Sequence, residues 1–260
     1  MKTALITGAS SGIGETFAQE LAQKNHNLIL VARSQDKLDL LAANLTSKYQ
    51  VQTEVIVQDL TEPSAGKTVF DLVRAKEMTV DMLINNAGFG DYGTFSDRPL
   101  EKQMAMIQLN IAAVVELTGL FLPLMQQRGN GAIINVASIA GFQPIPYMSV
   151  YAASKAFILN FSEALWAENK DTGVNILVAC PGPTESQFYD RADFPNSATG
   201  LNGMTMASAE KVVRETLQAL EKGQSTAVVG GFANQLIVNL PRLVPRDLLV
   251  SVVGKQFKNI

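Results

Sequence analysis

Short apolar runs alternate with longer segments of helical period along this chain, and that alternation leaves few folds open to it. The runs are Thr3–Thr7, Asn27–Ala32, Gln52–Gln58, Met82–Asn85, Ala132–Ala137, Asn175–Cys180 and Thr226–Val229. Helical patterns fill the intervals at Gly14–Lys24, Gln35–Lys48, Glu62–Glu77, Leu100–Arg128, Val150–Lys170 and Ala209–Glu221. Such an order builds parallel strands joined by helical crossovers. Several runs are apolar throughout, as strands covered on both faces are. With right-handed crossovers the expected architecture is α/β: a doubly wound parallel sheet of about seven strands, helices on both faces.

The chain has 260 residues, 47% of them hydrophobic and 17% charged, enough for a large core. No repeat or Pro/Gly/Ser linker divides it, so 1–260 reads as one domain. Residues 181–208 follow a strand directly and are long for a loop, which marks a substrate flap over the carboxyl edge of the sheet. A net charge of −3 gives no electrostatic reason to expect nucleic acid. A single histidine, His26, and a single cysteine, Cys180, nearly exclude a histidine base, a Cys–His nucleophile or a Cys/His metal cluster. Cys180 reads as a small buried hydrophobe, and His26 as a C-terminal helix residue complementing the dipole. One cysteine also fits a reducing cytoplasm. The N-terminal apolar stretch is too short for a secretory leader, and no run offers the ~18 uninterrupted apolar residues of a membrane span. The extension 231–260 mixes leucines and valines with Arg242, Arg246, Lys255 and Lys258. Such a helix can lie on a membrane surface, but packing or a dimer interface is the expectation.

The first strand runs into Gly8-Ala9-Ser10-Ser11-Gly12-Ile13-Gly14 and then into a helix. A diphosphate reaches the N–H groups of a helix N-terminus only where side chains do not intervene, so glycines belong at the turn and the closest contacts. In the first βα turn this points to a dinucleotide held at Gly8, Ser10, Ser11, Gly12, Ile13 and Gly14. About twenty residues on, a carboxylate would bind the ribose 2′-OH of NAD. The chain has Arg33 instead, which attracts a 2′-phosphate, with Ser10 as a further donor. NADP(H) is therefore the expected coenzyme. Asp59, with Leu60, can accept from the adenine amino group; alternatively Asp59 caps a helix opening at Thr61–Glu62. Asn86, Ala87 and Gly88 end the fourth strand, where small residues let a coenzyme lie flat and Asn86 can tie strand ends together.

Tyr151 and Lys155 lie one helical turn apart, with Ser138 thirteen residues before the tyrosine. Residues i and i+4 share a helix face, so the ammonium can approach the phenol. A cation ~4 Å away at an effective dielectric near 20 is worth ~4 kcal/mol, or about three pKa units, which would bring a phenol from about 10 toward neutrality. Tyr151 is then the acid in reduction and the base in oxidation, and Ser138 holds a carbonyl oxygen beside it.

Together with Asp59, Asn85-Asn86-Ala87-Gly88, Asn110, and Pro181-Gly182 with Thr184, these motifs resemble the short-chain dehydrogenase/reductase family in its compact single-domain form. The resemblance covers about residues 1–230; the last thirty residues fit less well. It implies a Rossmann-type sheet, NAD(P) binding, carbonyl/alcohol interconversion, and a homodimer or homotetramer. It also implies a tetrad of Asn110, Ser138, Tyr151 and Lys155. Asn110 is expected to hold a water with its side chain, linking Lys155 to solvent. Pro181, Gly182 and Thr184 are expected at the nicotinamide carboxamide or phosphates.

The expected activity is NADP(H)-dependent reduction of a ketone, aldehyde or 3-oxoacyl carbonyl to an alcohol; the alternative is a non-catalytic NADP(H)-binding regulator. Phe89, Gly90, Phe142, Gln143, Pro144, Tyr147, Phe188 and Tyr189 are expected to line the substrate pocket. That set is mostly apolar and without an arginine or lysine to grip a carboxylate, so an apolar substrate is implied.

Overall fold

The strand residues alternate between two separate cores, which is why their runs are apolar without interruption. In a computed structural model describing residues 1–195 and 206–258, seven parallel strands pair in the order β3-β2-β1-β4-β5-β6-β7. They are β1 (Thr3–Thr7), β2 (Asn27–Ala32), β3 (Thr53–Val57), β4 (Met82–Asn85), β5 (Gly131–Val136), β6 (Val174–Pro181) and β7 (Thr226–Val229). Ile6, Leu28, Leu30, Ile134 and Leu177 face one core; Leu5, Ile29, Val31, Ile133 and Ile176 face the other. The central strands β1 and β5 are buried throughout, whereas the edge strands β3 and β7 are only partly covered.

Helices α1 (Gly12–Gln23), α2 (Gln35–Tyr49) and α8 (Ala209–Glu221) cover the first face. The second is covered by α3 (Ala65–Ala75), α5 (Ala113–Arg128) and α6 (Ser149–Glu168). Strand order reverses at β1, which pairs with both β2 and β4, so a crevice opens past their carboxyl ends.

The helix expected over Leu100–Arg128 is interrupted. α4 (Leu100–Ile107) passes through a π-turn at Gln108–Ala112 before α5 begins. This stretch is long enough to cross a membrane, and an 18-residue window within it has a mean hydropathy of 1.7. Its α5 half nevertheless buries Val114, Leu117, Phe121, Leu122 and Met125 against the sheet. α3 starts at Ala65 rather than Glu62, because Asp59 closes a turn on the Thr61 N–H (2.9 Å) and hydroxyl (2.7 Å). The expected Asp59 cap of a helix at Thr61 is therefore corrected to a local Asx turn.

The flap carries one short helix, α7 (Phe188–Arg191), and its base is closed by bonds from Ala207 N to Pro183 O and from Glu185 N to Ala207 O. Its tip, 196–205, and the last two residues of the extension lie outside the described residues. After β7, Gly230 (φ +96°) and Gly231 (φ +135°) turn the chain back with backbone angles that side chains resist. α9 (Phe232–Asn239) and α10 (Arg246–Lys258) then fold across the carboxyl edge, with Leu249 and Val253 buried.

Candidate active site

A cleft of about 720 Å³ runs from the glycine turn, across the strand ends, to the C-terminal helices. Its coenzyme half is built from the first βα turn. Gly8 (φ +67°) and Gly12 (φ +57°) take left-handed conformations, and the Gly8 N–H donates to Val31 O at 2.8 Å. A Cβ on Gly14 would stand 2.2 Å from the Gly8 oxygen, so α1 can press on the turn only with glycine there. Ser11 precedes α1 without capping it by its side chain, leaving the first N–H groups of the helix to a ligand. Asn86 ties β4 to β1 as its position suggested: its amide donates to Thr7 O (2.9 Å), and the N–H groups of Asn86 and Ala87 reach Thr7 Oγ1 (3.0 Å each).

Ser10, Ile13, Arg33, Asp59, Leu60, Gly88, Pro181, Gly182 and Thr184 all line the same cleft. Arg33 is largely exposed and pairs with Asp59 at 3.5 Å. Burial would raise the Asp59 carboxyl, but the Thr61 N–H and hydroxyl and the Arg33 charge hold it below its ordinary value. Thr184 turns its hydroxyl onto Gly182 O (2.9 Å). A cradle of bare glycine backbone, a free helix end and a guanidinium fits a phosphorylated dinucleotide.

Tyr151 and Lys155, both buried, share the face of α6 that walls the middle of the cleft. The Lys155 ammonium donates to Val136 O at 2.8 Å and lies 5.8 Å from the centre of the Tyr151 ring. Burial pushes Lys155 down to about 8. Burial likewise pushes the Tyr151 phenol well above its ordinary value, only partly offset by the Ser138 hydroxyl. The expected fall toward neutrality is thus reversed within the protein matrix, because desolvation of the phenolate outweighs the pull of its neighbours. Ser138 follows β5, and its oxygen accepts from Ala140 N–H at 3.1 Å.

Asn110 sits in the π-turn, fully inside. Its amide donates to Phe89 O (3.0 Å) and Ser154 Oγ (3.1 Å), and its oxygen accepts from Phe89 N–H (3.1 Å). Both donors are spent on protein and fasten the β4 loop to α6, which leaves the second lone pair of Oδ1 as the place where this side chain would accept a water. A Cβ on Gly88 would meet Asn110 Oδ1 at 3.0 Å and Lys155 Nζ at 3.4 Å, which places these groups against one backbone. Behind them Asn85, Asn135, Thr118 and Ser162 form a buried polar chain; only Asn85 had drawn notice in the sequence.

Of the expected substrate lining, Phe89, Gln143, Phe188 and Tyr189 face the cleft. Phe142 does not, because it packs with Ile158, Leu159 and Cys180. Gly90 makes room for Phe188, whose ring would lie 2.6 Å from a Cβ there. Tyr147 leans on Tyr92, the rings tilted by 33° at 6.1 Å, and with Pro144 lies outside the lining. The structure adds Ile145, Met148 and Phe194, and from the tail Leu249, Val253 and Phe257. Lys102 and Arg191 also reach the rim, so the lining is not devoid of cations. Cys180 is fully buried and burial pushes its thiol up to about 12, an inert group. His26 lies just past α1, with its N–H on Leu21 O (3.0 Å), and burial lowers its imidazole.

A second ionic cluster holds the flap. The Asp91 carboxylate is fully buried and receives Arg98 (2.7 and 2.5 Å), Lys102 (2.6 Å) and Gln103 (2.6 Å). Asp193, on the flap, pairs with the same Arg98 (2.5 Å) and Lys102 (2.7 Å). Asp91, Arg98, Lys102 and Gln103 are close along the chain, but Asp193 is 91 residues or more from the cations it meets, and no spacing announces that pairing.

A doubly wound sheet with a glycine turn at the switch point and a Ser–Tyr–Lys set on the opposite wall defines a nucleotide-dependent dehydrogenase scaffold. Residues 2–193 match the model of the short chain dehydrogenase family, and the chain belongs to that family. It is 39% identical over 186 residues to a very-long-chain 3-oxoacyl-CoA reductase of Anas platyrhynchos, an alignment covering 68% of this chain and 58% of the relative. The chain thus spans little more than half the length of that relative. It is 31% identical to a 7beta-hydroxysteroid dehydrogenase of Collinsella aerofaciens, over 89% of this chain and 86% of the other. Among solved structures, a short-chain dehydrogenase from Sphingobium yanoikuyae in complex with NADPH superposes with a TM-score of 0.82 at 35% identity, covering 88% and 87% of the two chains.

Proposed function

We propose that this protein is an NADP(H)-dependent oxidoreductase that reduces an apolar ketone or 3-oxoacyl carbonyl to the alcohol. The observation that carries the proposal is the burial of Tyr151 and Lys155 side by side in the cleft wall, beside Ser138 and facing the glycine turn. The Gly8–Gly14 turn would hold the diphosphate and Arg33 a 2′-phosphate, and the nicotinamide, when bound, supplies the hydride that a carbonyl carbon accepts. The NADPH of the Sphingobium relative supports the choice of coenzyme.

The protein's own part is the proton. Because burial raises the Tyr151 phenol, it stays protonated at neutral pH and is a donor to a carbonyl oxygen. Ser138 orients that oxygen through its hydroxyl. Lys155, at about 8, is mostly a cation at neutral pH and stabilises negative charge developing on the phenol oxygen. Asn110 acts as a positioning residue, holding the Phe89 backbone against Ser154 on α6. A phenol protonated at neutral pH is already in the form that reduction consumes. The tail and flap aromatics favour a substrate with a long or bulky apolar body. We further place the protein in the cytoplasm, which its single cysteine fits, and read it as a homo-oligomer, supported by the exposed apolar side chains Met104, Ile107, Val115 and Phe157 on α4, α5 and α6.

The test is an NADPH-oxidation screen against ketones, aldehydes, quinones and 3-oxoacyl thioesters, with Tyr151→Phe as control. Turnover by the native chain and loss of at least ~100-fold in the variant, with coenzyme affinity intact, is the expected result. Tight NADPH binding with no turnover on any carbonyl would instead mark a regulator.

A further inference from the structure

The C-terminal extension is walled into the site on one side and apolar on the other. Leu249 and Val253 of α10 are buried in the pocket wall, and the Tyr92 hydroxyl donates to Phe257 O. The outer surface nevertheless carries a row of exposed apolar side chains among its polar ones. Phe232 (78% exposed), Leu236 (60%) and Leu240 (51%) follow each other at four-residue spacing, one stripe, and Leu243 (83%), Leu248 (56%) and Val252 (57%) continue the surface. Leu240 and Val252 belong to the pocket lining as well, so the cleft opens onto this apolar patch.

Charge says what covers it. Residues 231–260 carry four basic side chains against one acidic, whereas the rest of the chain carries seventeen against twenty-three. Arg246, Lys255 and Lys258 are exposed and, among the described residues, have no salt-bridge partner. A two-fold contact would set this cationic face against its own copy, like charge on like charge. An anionic lipid surface satisfies both the leucines and the lysines.

We propose that α9 and α10 dock on an anionic lipid surface and that the pocket takes its apolar substrate from that surface. The delivery half rests on the carbonyl-reductase reading; the docking half does not. Co-sedimentation of the full chain with vesicles of phosphatidylcholine, alone or with a quarter phosphatidylglycerol, separates them, since it needs neither coenzyme nor turnover. The native chain should sediment with the anionic vesicles only, and less so in high salt. Each lysine near a charged surface is worth roughly fivefold in partition, so Lys255→Gln with Lys258→Gln should lower it roughly 30-fold. Leu236→Glu with Leu243→Glu should abolish it, with far-UV circular dichroism unchanged. Three outcomes would overturn docking: no sedimentation of the native chain, partition indifferent to the exposed lysines, or an oligomer that the Leu236/Leu243 variant dissolves without lipid, which assigns the face to a second copy. If docking holds and no carbonyl is reduced, the delivery reading fails alone.

Discussion

Asp91 and Asp193 share the same two cations, yet replacing them should have unequal effects. The Asp91 carboxylate is wholly buried and takes four donors from Arg98, Lys102 and Gln103, whereas Asp193 is 54% exposed. Asp91→Asn removes the inner charge and leaves two partly covered cations with Asp193 alone. Breaking a buried pair costs about 3–5 kcal/mol; Arg98 and Lys102 keep some solvent, at 22% and 27% exposure, which points to the lower end. At a urea slope of about 3 kcal/mol/M, that moves the unfolding midpoint by about 1 M. Asp193→Asn loses an outer pair worth about 1 kcal/mol or less and should barely shift the midpoint. Its effect is local. The flap is otherwise held by Ala192 O, which accepts from Tyr92 N–H (2.8 Å), and by the Phe194 ring on Tyr92 (4.8 Å). Amide exchange at 188–195 should therefore quicken up to roughly fivefold in Asp193→Asn while global stability stays put. Acid should reproduce the loosening. Lys102 and Arg98 hold Asp193 below its ordinary value, and they do the same for Asp91 against the opposing effect of burial. The network's contribution is complete above the unfolded carboxylate pKa of about 3.9 and is lost as pH falls through the lower folded values. Equal midpoint shifts for the two variants, or unchanged flap exchange in Asp193→Asn, would refute the division into an inner anchor and an outer latch.

Arg33→Ala should weaken NADPH binding at least tenfold and leave NADH nearly untouched, measured by fluorescence titration of both coenzymes. Reduction should fall on an alkaline limb near pH 8 in kcat/KM, which reports the free protein: Tyr151 keeps its proton well beyond that point, but Lys155 loses its charge there, so kcat/KM drops about tenfold per unit above it. A limb at pH 10 or higher in the pH–rate profile would remove Lys155 from the step. Gly14→Ala forces a Cβ to within 2.2 Å of the Gly8 oxygen; the overpacking should cost about 1–3 kcal/mol in thermal melts and displace the phosphate turn, abolishing coenzyme binding in the same titration.

Most of the sheet was legible because its strands are buried on both faces, and burial writes an unbroken apolar run. β1, β2, β4 and β7 begin and end where those runs do. The coenzyme half of the site was legible for a related reason: backbone must approach a ligand at fixed places, and only glycine permits it, as Gly14 against Gly8 demonstrates. The π-turn at Gln108–Ala112 was not. It adds one residue to a turn inside a continuous apolar helix, and hydrophobic period resolves no such step. Asn110 drew attention as an amide in a helix, but its partners, Phe89 and Ser154, are twenty-one and forty-four residues away.

The substrate half escaped for a different reason, and the tail makes it plain. Leu248 and Leu249, like Val252 and Val253, are adjacent, and one member of each pair is buried while the other is exposed. A helix whose two faces are both apolar carries no mark of which one turns inward; only contact with Met148, Tyr151 and Phe188 decides it. The same ambiguity led Phe142 and Tyr147 to be counted as pocket residues, when neighbouring side chains had claimed them. Chemistry that every substrate needs is thus placed by local backbone demands, readable in order along the chain. Specificity is placed by contacts between the flap, the β4 loop and the tail, which no spacing along the chain encodes. It follows that changes at Leu249 or Val253 should alter which carbonyl is accepted, read as a changed order of kcat/KM across the ketone panel, more than they alter proton delivery from Tyr151, whose phenol is carried by α6 and meets Ser138 after β5.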